Sequence, residues 1–143
     1  AIHAAVRYGS RVTTTTISDE QHRFATERVA ALGLGESVTL LRQDYRDLEG
    51  TYDKLVSIEM IEAVGHQYFR TYFERCANLL EPHGAAVIQT ITIQDRYYES
   101  ARREIDFIKR YIFPGSCIPA VSVLATTAAP TDLRLGHPGH DVP

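Results

Sequence analysis

Cysteine is scarce in this chain: Cys76 and Cys117 are the only two in 143 residues, and they stand far apart. Without a C-x-x-C spacing they exclude a zinc ribbon and the cysteine-dense framework of a small secreted domain. His3, His22, His66, His83, His137 and His140 fall at no metal-ligand spacing, and most of them read as surface residues. Positive charge is not in excess either. Fifteen Lys and Arg stand against eighteen Asp and Glu, a formal net charge of −3 with a pI near 6.1, which argues against nucleic acid as the main partner. No apolar run approaches the roughly 20 residues of a membrane-spanning helix. The opening AIHAAVR is not a signal peptide, and no strongly basic amphipathic helix of the kind that grips anionic lipid is present. There is no internal repeat. The length gives one domain at most, long enough for a real core. A start without Met, as if inside a helix, reads as a piece of something longer.

The most informative stretch runs from Asp53 to His66, DKLVSIEMIEAVGH. Leu55, Val56 and Ile58 form a short apolar run of the kind expected in a strand buried on both faces. Glu59 and Glu62 follow among Met60, Ile61, Ala63 and Val64. A carboxylate in such company either needs a partner or faces solvent at the start of the next helix, where negative charge suits the dipole.

The rest of the chain arranges itself around that strand. Residues 1–8 resemble a helix end stopped by Gly9, and RVTTTTI (11–17) is a strand by its β-branched density. Ser18 and Gln21 are spaced as a capping box. The following helix is expected to reach Leu32 with Phe24, Ala25, Arg28, Val29 and Leu32 on one stripe. Val38 to Leu41 is a further strand, ending at Gln43-Asp44-Tyr45. After His66 a helix carries Phe69, Tyr72, Phe73, Cys76, Leu79 and Leu80 on one face. Pro82-His83-Gly84 is expected to break it before a strand over 85–93. A charged amphipathic helix over 97–110, with Ile105, Ile108 and Tyr111 at helical spacing, and a weak helix over 120–128 complete the pattern. Beyond Pro130 the Gly-, Pro- and His-rich end is expected to be disordered. This order predicts an α/β protein with a mostly parallel sheet and helices packed on it.

In such sheets ligands bind beyond the carboxyl ends of the strands. Those ends bring Thr16, Ile17, Ser18 and Gln21 from one strand, Asp44 and Tyr45 from a second, and Glu59 and Glu62 from a third. Polar groups beside apolar ones suit a ligand with a planar ring and hydroxyls, such as a nucleoside. Ser18 and Gln21 are equally well explained as a helix cap, and Asp44 as a turn residue. The tyrosines at 97, 98 and 111 read as packing residues.

SIEMIEAVGH, the later VIQTITI, FIKRYIFPGSCIP, and VTTTTIS with the later QDYRD together resemble the cyclopropane-fatty-acyl-phospholipid synthase family over roughly residues 1–124. The resemblance implies a class I, Rossmann-like methyltransferase dependent on S-adenosylmethionine. Its sheet would be partial, doubly wound and mostly parallel, lacking the first strand, with the domain over 1–129 and a divergent tail over 130–143. It places Thr16, Ile17, Ser18 and Gln21 on the ribose and methionine part of the cofactor, and Asp44 and Tyr45 around the adenine. Glu62 matches the glutamate that helps hold a bicarbonate ion. Gln89 stands where a histidine ligand of that ion is usual, and Ile91 where a backbone contact is made. No metal is implied.

The implied substrate is the cis double bond of an unsaturated phospholipid acyl chain, met by peripheral membrane contact from a cytoplasmic location at the inner membrane face. No nucleic acid is implied as a partner, and oligomeric state has no readable signal. Three features depart from the family pattern. The glycine-rich cofactor loop and an early active-site cysteine would precede Ala1, and the late His-Tyr element is missing. The expectation is a fragment that by itself binds cofactor poorly and lacks catalytic competence. A small-molecule N- or C-methyltransferase on the same scaffold, and a non-catalytic α/β remnant, are the alternatives. A dinucleotide-binding oxidoreductase fits less well, because Ile17-Ser18 stands where an acidic residue would follow the second strand.

Overall fold

The computed structural model describes residues 1–136 and divides into two compact units, Ala1–Glu49 and Gly50 onward. The expected tail over 130–143 therefore lies outside the described residues from 137 onward.

In the first unit, helix α1 (Ile2–Tyr8) ends at Gly9, whose φ of 64° is open to glycine without strain. Strand β1 (Val12–Thr16), helix α2 (Asp19–Ala31) and strand β2 (Val38–Arg42) follow. The two strands pair in parallel, from Val12 opposite Val38 to Thr16 opposite Arg42, with α2 as the helical connection a parallel pair requires. Ala5, Val29 and Val38 form the core, flanked by Ile2, Leu34 and Leu40. The stripe expected on α2 is only partly realised. Val29 is buried, while Phe24 and Leu32 are exposed, because a sheet of two strands offers too narrow a face to cover the whole stripe.

In the second unit, strand β3 (Tyr52–Ile58) leads through short helix α3 (Ile61–Val64) and a 3₁₀ turn (His66–Tyr68) into α4 (Phe69–Asn78). Strand β4 (Leu80–Gln89), α5 (Asp95–Arg103), a π-helical turn (Ile108–Ile112) and α6 (Val121–Ala128) complete it. Strands β3 and β4 are parallel, with Lys54 to Ile58 opposite Ala85 to Gln89. The stripe Phe69, Tyr72, Phe73, Cys76 on α4 is buried as its spacing requires. The hydroxyl of Tyr72 donates to Ser57 Oγ at 2.7 Å, which fixes α4 on the Ser57 face of the sheet.

Three expectations change here. The central strand β3 is not buried on both faces: Val56 and Ile58 are 66% and 60% exposed, and Val87 on β4 is 62% exposed. The helices of this unit cover the Ser57 face, and none of its described elements covers the other. Strand β4 begins at Leu80 rather than after Gly84, because Pro82-His83-Gly84 lies in a register shift between Tyr52 and Lys54 instead of ending a helix. A bulge is where a strand tolerates a residue without an N–H. The same strand stops at Gln89 rather than Ile93. Helix α5 stops at Arg103 instead of 110, since the Lys109 ammonium donates to the carbonyls of Ala101 and Glu104 and closes the helix end. Ile105, Ile108 and Tyr111 are consequently exposed.

Candidate functional site

The first unit gathers its polar groups where β1 and β2 end side by side. Thr15 Oγ1 donates to the Gln43 carbonyl at 2.5 Å and ties the two strand exits together. Ser18 caps α2 by accepting from the Gln21 amide at 3.3 Å. Only one arm of the expected capping box forms. The Gln21 carboxamide accepts from Thr16 Oγ1 at 2.8 Å, and that same hydroxyl receives the Ser18 N–H at 3.1 Å. Thr16, Ser18 and Gln21 are thus joined, while Ile17 is 76% exposed beside them.

Asp44 caps the 3₁₀ turn Tyr45–Asp47. Its carboxylate accepts from the Arg46 amide at 2.9 Å and from Arg46 Nε and Nη2 at 2.9 and 2.8 Å. The Arg46 guanidinium holds the Asp44 carboxyl below its ordinary pKa. An exocyclic amine approaching Asp44 must share these oxygens with Arg46, using their remaining lone pairs. Tyr45 is half-buried next to it.

The second unit builds a separate cluster where β3 and β4 end. Glu59 has φ 49°, and among the described residues no other non-glycine lies at positive φ. Such strain concentrates where structure over-determines a site. Its N–H donates to the Gln89 carbonyl at 2.9 Å, and Gln89 Nε2 donates to Glu59 Oε1 at 3.3 Å. Glu62, in the first turn of α3, accepts the Ile91 N–H on Oε1 at 2.6 Å. Its Oε2 is buried without a hydrogen-bond partner. An orphaned buried carboxylate oxygen is costly and needs a donor. Glu62 is held in turn by its own carbonyl, which accepts from the Cys117 N–H at 2.8 Å. Glu62, Gln89 and Ile91 therefore do come together, with Ile91 participating through its backbone and Gln89 turned toward Glu59.

One network was not legible in the sequence. His66, one of the histidines at no metal-ligand spacing, is half-buried, with Nδ1 2.5 Å from the Tyr98 hydroxyl and Nε2 2.9 Å from Arg102 Nη1. A guanidinium only donates, so Nε2 accepts and Nδ1 carries the hydrogen given to Tyr98. Tyr98 is buried, lies 3.7 Å from Cys117 Sγ, and has its phenol pushed up by burial and then by Cys117. The available signal was the i, i+4 spacing of Tyr98 and Arg102 on α5, which places both on one face.

The family model described as mycolic acid cyclopropane synthetase matches residues 1–140. The chain is 41% identical over 135 residues to the tuberculostearic acid methyltransferase UfaA1 of Mycobacterium tuberculosis, covering 94% of this chain and 31% of that protein. It is 36% identical over 133 residues to the cyclopropane-fatty-acyl-phospholipid synthase of Escherichia coli, covering 91% and 32% respectively. The chain thus spans about a third of the length of these relatives. Among solved structures, the cyclopropane synthase MmaA2 of Mycobacterium tuberculosis superposes with a TM-score of 0.81 at 19% identity, over 95% of this chain and 51% of that one. The mycolic acid cyclopropane synthase CmaA1, complexed with SAH and CTAB, gives 0.82 at 22% identity over the same shares. The fold is that of S-adenosylmethionine-dependent methyltransferases, represented here by part of the parallel sheet.

Proposed function

Because this chain belongs to the mycolic acid cyclopropane synthetase family, we propose that it forms part of a lipid methyltransferase acting on the cis double bond of an unsaturated phospholipid acyl chain. The observation that carries this reading is Glu62: a carboxylate anchored by the Ile91 N–H, with its second oxygen buried and unpartnered at the end of β3. In the first unit, Thr16, Ser18 and Gln21 form a hydrogen-bonded rim, beside the exposed Ile17, for the ribose and methionine part of S-adenosylmethionine. Asp44 and Tyr45 flank the adenine. Bound S-adenosylmethionine supplies the sulfonium methyl.

Methyl addition to a double bond leaves positive charge on the acyl chain, and the Glu62 carboxylate supplies fixed negative charge to stabilise it. The residues also fit a bicarbonate ion. Glu62 Oε2 can accept its O–H, and the second hydrogen of Gln89 Nε2, not used by Glu59, can donate to its oxygens. Glutamine exchanges no proton near neutral pH, so Gln89 orients and does not act as acid or base. No helix among the described residues is long and apolar enough to cross a membrane; the peripheral contact proposed here follows from the lipid substrate alone. Gln89 in place of a proton-exchanging histidine favours a second reading, an N- or C-methyltransferase of small molecules, for which no ring-closing base is needed.

The test is a chimaera in which this sequence replaces the matching third of the Escherichia coli synthase. Methyl transfer from S-adenosylmethionine to vesicles of unsaturated phospholipid, with a cyclopropane product, supports the first reading. Transfer to amines or small carbon nucleophiles but not to lipid supports the second. Failure of both, with S-adenosylhomocysteine giving no heat on titration, removes the methyltransferase reading. For the 143-residue chain alone, weak cofactor binding and no turnover are expected.

A further inference from the structure

The second unit contains a cavity of about 460 Å³ whose lining includes His66, Gln67, Arg102, Arg103, Lys109 and Ser116. The bland explanation for its cations is that they offset the partial negative charge at the α5 C-terminus. Lys109 does this directly, through the carbonyls of Ala101 and Glu104. The two arginines exceed that need. Both bond one carboxylate, Glu99, and the only acid lining the cavity is Glu104. Three cations thus face two carboxylates in a chain whose formal net charge is −3. Arg102 Nε is buried with no hydrogen-bond partner, so its guanidinium is under-satisfied. The imidazole that meets Arg102 accepts rather than donates and leaves its charge undiminished.

We propose that this cavity binds a phosphoryl anion, held by the Arg102 and Arg103 guanidiniums, with Gln67 and Ser116 as neutral donors. Planar guanidiniums match phosphate oxygens through paired N–H groups, and ionised partners make the stronger bonds. The surroundings favour a phosphate that carries an apolar body. Exposed Ile105 lines the cavity, and the exposed rings of Phe107 and Tyr111 pair at 5.1 Å in the next turn. This deepens the lipid reading above by giving the substrate's phosphate a site, yet it depends on residues separate from the Glu62 cluster and from the cofactor rim.

The experiment is a titration of the ¹⁵N-labelled chain with inorganic phosphate at constant ionic strength, with chloride as the control. Saturable shifts at the backbone amides of Gln67, Arg103 and Ser116, weakened about tenfold in Arg103→Gln, are expected. Arg103 is exposed, so this variant should fold as the parent does. Arg102→Gln gives a second reading where it folds. Co-sedimentation separates the sources. Binding to phosphatidate vesicles but not to phosphatidylcholine vesicles, lost in Arg103→Gln and competed by inorganic phosphate, assigns the site to a lipid headgroup. Phosphate binding without vesicle binding assigns it to a soluble phosphoryl ligand. Shifts equally produced by chloride, or undiminished in Arg103→Gln, overturn the proposal. S-adenosylhomocysteine binding by the Escherichia coli chimaera reports separately on the methyltransferase reading.

Discussion

Glu62 allows a structural role to be separated from a chemical one. In Glu62→Gln the amide oxygen can still accept the Ile91 N–H, but the bond loses its charge assistance. Bonds to charged groups contribute about 1.5–3 kcal/mol against about 1 kcal/mol for neutral ones, so this change costs roughly 0.5–2 kcal/mol. Opposing it, the buried and unpartnered carboxylate oxygen is replaced by a neutral group, which recovers part of a penalty of about 1–3 kcal/mol. The two effects nearly cancel, and Glu62→Gln should lie within about 1 kcal/mol of the parent, a shift in Tm of no more than about 3 °C. Glu62→Ala strands the Ile91 N–H and should lose about 1–3 kcal/mol. Urea unfolding of the 143-residue chain measures both. Activity should order differently: in the Escherichia coli chimaera both variants should fall by about a hundredfold or more, the range expected for loss of one preorganised electrostatic stabiliser. A Glu62→Gln chain that loses more than about 2 kcal/mol, paired with a chimaera of unchanged lipid methylation, would make Glu62 a structural residue and refute the reasoning.

Tyr72→Phe should destabilise the chain by about 1–2 kcal/mol, since it leaves the buried Ser57 hydroxyl without the donor 2.7 Å away. Adding Ser57→Ala should recover most of that loss, and a double-mutant cycle in urea reads the coupling. Asp44 has its carboxyl held below the ordinary value by Arg46. Its contribution is present above the unfolded carboxylate pKa and is lost as pH falls through the lowered folded value. Asp44→Asn, which keeps the capping oxygen, should therefore cost about 0.5 kcal/mol at pH 7 for so exposed a pair. The difference from the parent should shrink as pH falls below the ordinary carboxylate range, as thermal unfolding at neutral and at acid pH would show. Gly65→Ala, at φ +86° and with its new methyl 2.7 Å from the Gly115 oxygen, should lose about 2 kcal/mol or more. An unchanged Tm would mean that the loop carrying Gly115 gives way freely.

Local chemistry made some elements legible, and partner choice hid the others. The β-branched run RVTTTTI yields β1 and the α4 stripe yields its buried face, because in both cases residue type and period act on the chain's immediate neighbours. The apolar run of β3 announces a strand equally well, but periodicity cannot supply a cover for Val56 and Ile58, so double-sided burial did not follow. Pro82 reads as a helix breaker from sequence, whereas a parallel partner with a register shift absorbs it inside β4. The end of α5 is set by the Lys109 ammonium reaching back over eight residues, which overrides the helical spacing of Ile105 and Ile108.

The same division applies to the candidate sites. Topology alone carries Thr16 and Asp44 to the carboxyl ends of the strands of the first unit, and Glu62 and Gln89 to those of the second, so sequence order sufficed to place each set. Which hydrogen bond each then makes is decided by rivals a few ångströms away. Arg46 takes Asp44, Glu59 takes the Gln89 amide, and the Ile91 N–H goes to Glu62. His66 shows the opposite limit, because its partners Tyr98 and Arg102 lie more than 30 residues away and follow no motif. The strand-end acids could therefore be anticipated as a group, whereas the unpartnered oxygen that gives Glu62 its chemical potential emerges only when the competing donors have been placed.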